Sequence, residues 1–272
     1  MIQKRLLFLF ALIPILLFGC GQSDSSLRLE LTGSSTLAPL MSEIAKRYES
    51  KHPGVRIDIQ TGGSSRGIAD AGNGNADIGM SSRALKDSEK AGRVTHTVAM
   101  DGVALMVNAA NPVKSLSDEQ IVGIFTGQIE NWKEVGGNDA PINCVNRAEG
   151  RSELELFQDF YDLTPEAFQP DMISGENQHG IKTVAGDENG IIYMSIGAAE
   201  FEAANGTPVK LLPLRGVEAS SETVAAGSFP LSRPLILITG SSPSALAGEF
   251  IEFALSSEVH DLVRQQSYVP AK

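Results

Sequence analysis

The spacing of apolar residues changes period several times along the chain. Leu27 to Leu31 and Val55 to Gln60 alternate apolar with polar, as half-buried strands do, whereas Leu37, Leu40, Met41, Ile44, Ala45 and Tyr48 between them recur at helical spacing. The unit is β-α-β, which predicts an α/β fold. Further strands are predicted at Ala76 to Met80, Arg93 to Met100, Gly102 to Asn108, Ile142 to Asn146, Gly190 to Met194 and Pro234 to Thr239. Ser117-x-x-Gln120 ahead of Ile121, Ile124 and Phe125 predicts a helix opened by a capping box. A last helix is predicted from Pro243, with Leu246, Phe250, Ile251 and Ala254 on one face. No internal repeat interrupts this series.

The first twenty residues follow a different pattern. Lys4 and Arg5 precede an apolar run from Leu6 to Phe18, and the segment closes on Leu17-Phe18-Gly19-Cys20. The run is short for a membrane span, which needs about 20 residues, and it reads as a secretory signal at 1–19. Its ending resembles a lipobox, which implies an exported bacterial lipoprotein carrying lipid on Cys20. A plain signal peptide with an incidental Cys, or a short anchor helix, are the alternatives. Residues 20–26 are small and polar and suit a tether, so the globular part is expected from Leu27.

Composition narrows the function. Of 272 residues, 42% are apolar and 20% charged, which excludes a disordered chain and leaves one large domain or two modest ones. There are 33 acidic residues against 22 basic, and removal of Lys4 and Arg5 lowers the basic count to 20, for a charge of −13. Such a surface repels phosphate backbones, so no nucleic-acid partner is expected. After processing, Cys144 is the single thiol beyond Cys20, and four scattered His give no spacing that closes a metal site. No metal or cofactor is expected.

Three junctions are rich in Gly, Ser and Thr: Thr32-Gly33-Ser34-Ser35-Thr36-Leu37, Thr61-Gly62-Gly63-Ser64-Ser65-Arg66-Gly67 and Gly79-Met80-Ser81-Ser82-Arg83. Each is expected to follow a strand and open a helix, where hydroxyls and unpaired N–H groups bind an anion without a net charge. One such junction is an ordinary cap and turn; three in succession point to a shared ligand. Gly63-Ser64-Ser65-Arg66-Gly67 also fits the G-x-S-x-G elbow of serine hydrolases, with His96, His179 and His260 downstream.

At these residues the chain resembles the phosphate-binding proteins of bacterial ABC importers. The resemblance runs from about Leu29 to Pro270 and rests on LTGSSTLAPL (31–40), GGSSRGI (62–68), ADIGMSSRAL (76–85), LSDEQIVGIFTGQIENWKEVGG (116–137), NGIIYMSIGAA (189–199) and QQSYVP (265–270). It implies a two-lobed, type II periplasmic-binding-protein-like α/β fold that closes over an oxyanion. Lobe 1 would comprise residues 27–107 and 234–272, and lobe 2 residues 108–233.

The resemblance further implies ligand positions at Ser35, Thr36, Leu37 (through its N–H), Ser64 and Ser82 on the first lobe. On the second it implies Arg147 and Gly150, with Glu149 where a carboxylate commonly braces that Arg. The family's Ser-Gly-Thr is replaced by Arg151-Ser152-Glu153, so these three are carried over by position alone. Ser82 stands where many members have a proton-accepting Asp, and Glu153 is the candidate to take over that role. The implied function is a lipid-anchored, monomeric solute-binding protein with no covalent chemistry. It would capture inorganic phosphate or a related oxyanion outside the cytoplasm and pass it to a membrane ABC permease. A serine hydrolase, or an adhesive or signalling lipoprotein that kept the fold, are the competing classes.

Overall fold

The computed structural model describes residues 27–271. The expected signal segment at 1–19, Cys20 and the expected tether lie outside the described residues. Ten strands form one mixed sheet: β1 (Leu27–Gly33), β2 (Val55–Thr61), β3 (Ile78–Ser81), β4 (Arg93–Asn108), β5 (Asn143–Arg147), β6 (Met172–Ser174), β7 (Gly190–Ser195), β8 (Val209–Leu211), β9 (Ser232–Gly240) and β10 (Val269–Pro270). The path runs β2-β1-β3-β9-β4-β7-β5-β6, with β8 and β10 added on β4. The helices are α1 (Ala38–Lys51), α2 (Ser64–Asn73), α3 (Asp118–Phe125), α4 (Ser152–Tyr161), α5 (Asn177–Ala185), α6 (Ile196–Ala204), α7 (Ser221–Ala225), α8 (Ala245–Leu255) and α9 (His260–Gln265).

The sheet divides in the middle of β4. Arg93 to Gly102 pair antiparallel with β9, while Val103 to Val107 pair with β7. The two strands predicted at 93–100 and 102–108 are therefore one, and it crosses between lobes at Gly102/Val103. The expected boundary after Val107 is thus about five residues late, because Val103 to Val107 already pack in the second lobe's core. On β9 the residues opposite Gly102 and Asp101 are Ser232 and Arg233.

Each half has its own apolar core. In lobe 1 the apolar stripe of α1, with α8 and α9, covers β1, β3 and β9 through Leu40, Met41, Ile44, Phe250 and Val263. In lobe 2 Phe125, Phe157 and Tyr193 pack together, the last two stacked at 4.0 Å. Fully burying a side chain of this kind is worth about 1.5–3 kcal/mol. The expected capping box closes on Ser117 and Gln120, and Trp132 is buried with its indole N–H on the carbonyl of Asn189. The helix predicted from Pro243 is α8, which starts at Ala245, capped by Ser244; it is not the last, because α9 follows it. Among the described residues no helix is long and apolar enough to cross a membrane.

Candidate functional site

The hydroxyl-rich junctions meet because glycines let backbone touch backbone. A Cβ on Gly33, at φ +131°, would lie 2.2 Å from the carbonyl oxygen of Met80; one on Gly67 would lie 2.5 Å from the same oxygen, and one on Gly79 would lie 2.2 Å from Gly67 O. Only hydrogen fits at these points, so α2 lies directly on β1 and β3. The ends carrying Ser34, Ser64 and Ser82 are drawn together: Ser34 Oγ donates to Ser82 Oγ at 3.0 Å, and the Ser82 N–H donates to Ser64 Oγ at 3.0 Å. The third junction departs from expectation in one respect. After β3 the chain bends and forms only a short 3₁₀ turn at Asp87–Glu89, so Ser82 is presented by a bend and not by a helix.

The second lobe supplies the other half. Gly63 (φ +97°) faces Gly150 (φ +75°) so closely that a Cβ on Gly63 would meet the carbonyl oxygen of Gly150 at 2.5 Å, and that carbonyl accepts from the Ser65 N–H at 3.3 Å. Across this contact Ser82 and Ser152 hydroxyls lie 2.6 Å apart, and Thr36 Oγ1 donates to Glu153 Oε1 at 2.9 Å. The Asn177 amide donates to Thr36 at 3.2 Å and its carbonyl accepts from Arg147 at 2.7 Å. The lobes are closed on one another. Glu155, one turn into α4, reinforces this from lobe 2 by accepting from Ser65 (2.7 Å) and pairing with Arg83 (3.1 Å) and Lys86 (2.8 Å) of lobe 1.

Thr36, Ser64, Ser82, Arg147, Ser152 and Glu153 therefore come together, all buried. Others of the expected set lie apart. Ser35 reaches Asn177 at 3.4 Å beside an interlobe cavity of about 500 Å³, whose lining includes Thr36 and Asn177. The Leu37 N–H already donates to Ser34 Oγ, and its side chain belongs to the lobe 1 core. Gly150 serves the lobe contact, and Arg151 turns away to pair with Glu176 at 3.1 Å. Glu149 is exposed and does not brace Arg147: after the left-handed turn at Gly150 the chain enters α4, whose first turn points Glu153 inward instead. Ser65, the serine of the G-x-S-x-G pattern, is engaged by Glu155 and not by a histidine.

Two buried charges went unread in the sequence. Arg233 on β9 donates to Asp101 on β4 through Nε (3.1 Å) and Nη2 (2.9 Å) and to Glu153 Oε1 at 2.9 Å. Asp101 is held in turn by the Ser195 hydroxyl (2.8 Å) and the Gly197 N–H (3.1 Å) at the start of α6. The available signal was a lone Asp inside the apolar run Val98 to Val107, and a lone Arg opening another: charges are rarely buried unless paired. Burial pushes the Glu153 carboxyl up, but Arg233, Arg147 and its own backbone N–H outweigh that and hold it at about 2. It is ionised at neutral pH. For Arg147 burial dominates and lowers its pKa, because Glu153, at 3.8 Å, is the one carboxylate within 4 Å among the described residues, and no carboxylate hydrogen-bonds it. Its Nε is buried without a partner. The buried cluster thus sets two guanidiniums and several hydroxyls around ionised Glu153, which suits a small oxyanion carrying a proton.

The chain matches the model of the PBP superfamily domain over residues 21–258. It is 30% identical over 254 residues to the phosphate-binding protein PstS of Bacillus subtilis, covering 92% of this chain and 83% of that one. The PstS of Borreliella burgdorferi is 26% identical, with 99% of each chain covered. Among solved structures, a substrate-binding protein from Clostridium perfringens ascribed to a phosphate ABC transporter and crystallised with bound phosphate superposes with a TM-score of 0.83 at 37% identity, covering 90% of this chain and all of that one. An ABC-type phosphate transport receptor from Vibrio cholerae gives 0.72 at 32%, covering 89% of this chain and all of that one.

Proposed function

The chain belongs to the PBP superfamily and, within it, to the phosphate-binding proteins, and from that premise we propose that it captures inorganic phosphate between its lobes and delivers it to an ABC importer. The observation that carries this is Arg147: a guanidinium buried against the lobe interface, 3.8 Å from Glu153 with no carboxylate hydrogen-bonded to it, an unpartnered Nε, and a link through Asn177 to the Thr36 hydroxyl of the other lobe. A buried cation so loosely paired is open to a further anion, and charge-assisted bonds to an oxyanion are the strong ones available to it. Thr36, Ser64, Ser82 and Ser152 supply neutral donors. Ionised Glu153 supplies an acceptor, so a ligand that still carries a proton is favoured and sulfate, which carries none near neutral pH, is repelled. Closure puts both sets of groups on one ion, so the anion stabilises the closed form. Processing at Cys20 would leave the protein lipid-anchored outside the cytoplasm, near its permease.

Calorimetric titration with phosphate, sulfate, molybdate and tungstate, from mildly acidic to mildly alkaline pH, tests the proposal. Binding of one phosphate with sulfate rejected is the expected result. Absence of phosphate binding throughout that range would overturn it.

A further inference from the structure

We infer that Arg233 is a second cation of the anion site, with Asp101 as its positioning residue, and that Glu153 Oε1 marks where a ligand oxygen sits. The inference rests on the phosphate-capture reading and names a residue which that reading does not use. Arg233 is fully buried at the crossing point of β9, where it belongs to neither lobe alone. Its Nη1 donates to the hydroxyl of Ser152 at 3.0 Å and approaches that of Ser82 at 3.4 Å; its Nη2 lies 3.3 Å from the hydroxyl of Thr36. Arg147 hydrogen-bonds none of these three: its guanidinium is spent on Asn177, Ser174 and the carbonyl of Glu176. An anion that accepts from Thr36, Ser82 and Ser152 therefore lies within hydrogen-bond reach of the Arg233 fork.

Glu153 locates the contact more closely. Its Oε1 accepts from Thr36 Oγ1 and from Arg233 Nη2, each at 2.9 Å. Two donors, one from lobe 1 and one from the hinge, already converge on a single oxygen, and the carboxylate gives up that point when the anion enters. Asp101 takes the other edge of the guanidinium and is itself anchored by Ser195 and Gly197, so the fork is aimed before ligand arrives. A guanidinium suits this position because its planar fork serves the carboxylate on one side and the anion on the other; an ammonium is a point charge and cannot do both.

The test is calorimetric titration of the full chain with inorganic phosphate, comparing wild type with Arg233→Lys and with the paired Arg233→Met/Asp101→Leu. Thermal unfolding is measured with and without phosphate. Losing one partner of a buried charge-assisted contact corresponds to about a 100-fold weaker Kd, expected for both variants. Lys keeps the charge facing Asp101, so the ligand-free Tm of Arg233→Lys should stay near wild type; if it does not fold, the paired variant, which leaves no orphaned charge, decides. A phosphate Kd within about threefold of wild type in either folded variant, or a lowered Tm with unchanged Kd, would overturn the assignment and leave Arg233 a structural residue. A wild type that binds no phosphate at all would overturn the function, and this assignment with it.

Discussion

Replacing Glu153 by Gln removes one negative charge and almost nothing else. In the wild-type cluster Arg147 and Arg233 face two carboxylates, Glu153 and Asp101, and of the two guanidiniums Asp101 pairs with Arg233 alone. The Gln variant leaves two buried guanidiniums sharing one carboxylate that reaches just one of them. An uncompensated buried charge of this sort costs about 3–5 kcal/mol. The carboxyl itself gives a second measure: moving it from an ordinary 4.5 to about 2 corresponds to roughly 3 kcal/mol favouring the ionised form in the fold. At about 2–4 °C per kcal/mol for a chain of this size, the ligand-free Tm should fall by roughly 10 °C. Phosphate returns negative charge to the same place, so it should raise Tm more in Glu153→Gln than in wild type, and sulfate should stabilise the variant but not the wild type. The pH dependence has a definite sign. Because the folded carboxyl sits below its unfolded value, its contribution is complete above about pH 4.5 and is lost as pH falls from there toward 2; the variant should lack that component of the acid transition. Scanning fluorimetry in phosphate-free buffer, then with phosphate or sulfate, reads all three effects. An unchanged ligand-free Tm would refute the charge argument, and unchanged sulfate rejection would refute the acceptor role.

Arg147→Ala should weaken phosphate binding at least about a hundredfold by calorimetry, the equivalent of about 3–5 kcal/mol for an orphaned buried partner; near-native affinity would place the site elsewhere. Glu155→Gln loosens the tie to Ser65, Arg83 and Lys86 without touching the hydroxyl cluster, so phosphate should dissociate about tenfold faster in stopped flow, with association little changed. Burial, and secondarily Asp171, pushes the Cys144 thiol up to about 12, so iodoacetamide near pH 8 should leave the native protein unlabelled and label the unfolded chain.

Local features were legible in the sequence because their causes are local. The stripe from Leu37 to Tyr48 is α1 together with the turn that leads into it, the Ser117/Gln120 pair is a capping box, and the glycines among Ser and Thr do mark the ends that converge. Arg147 and Glu153 were identified through a family pattern whose spacing is also local. What escaped were relations between distant positions. Arg93 to Asn108 looked like two strands because Asp101 and Gly102 break an apolar run, yet the pair sits where one strand passes between lobes, with Ile196, Phe229 and Val224 around Gly102 leaving no room for a side chain. Arg233 and Asp101 are 132 residues apart, and nothing near either names its partner; antiparallel pairing of β4 with β9 sets them side by side. Glu149 and Glu153 both follow Arg147, two and six residues on, and only the turn at Gly150 decides that one meets solvent and the other the buried cluster. Helix period, caps and turns depend on residues a few positions apart, so the sequence determines them alone. Which charge is buried, and what neutralises it, depends on desolvation and contact between segments that meet only when the sheet closes, and that the tertiary structure alone could decide.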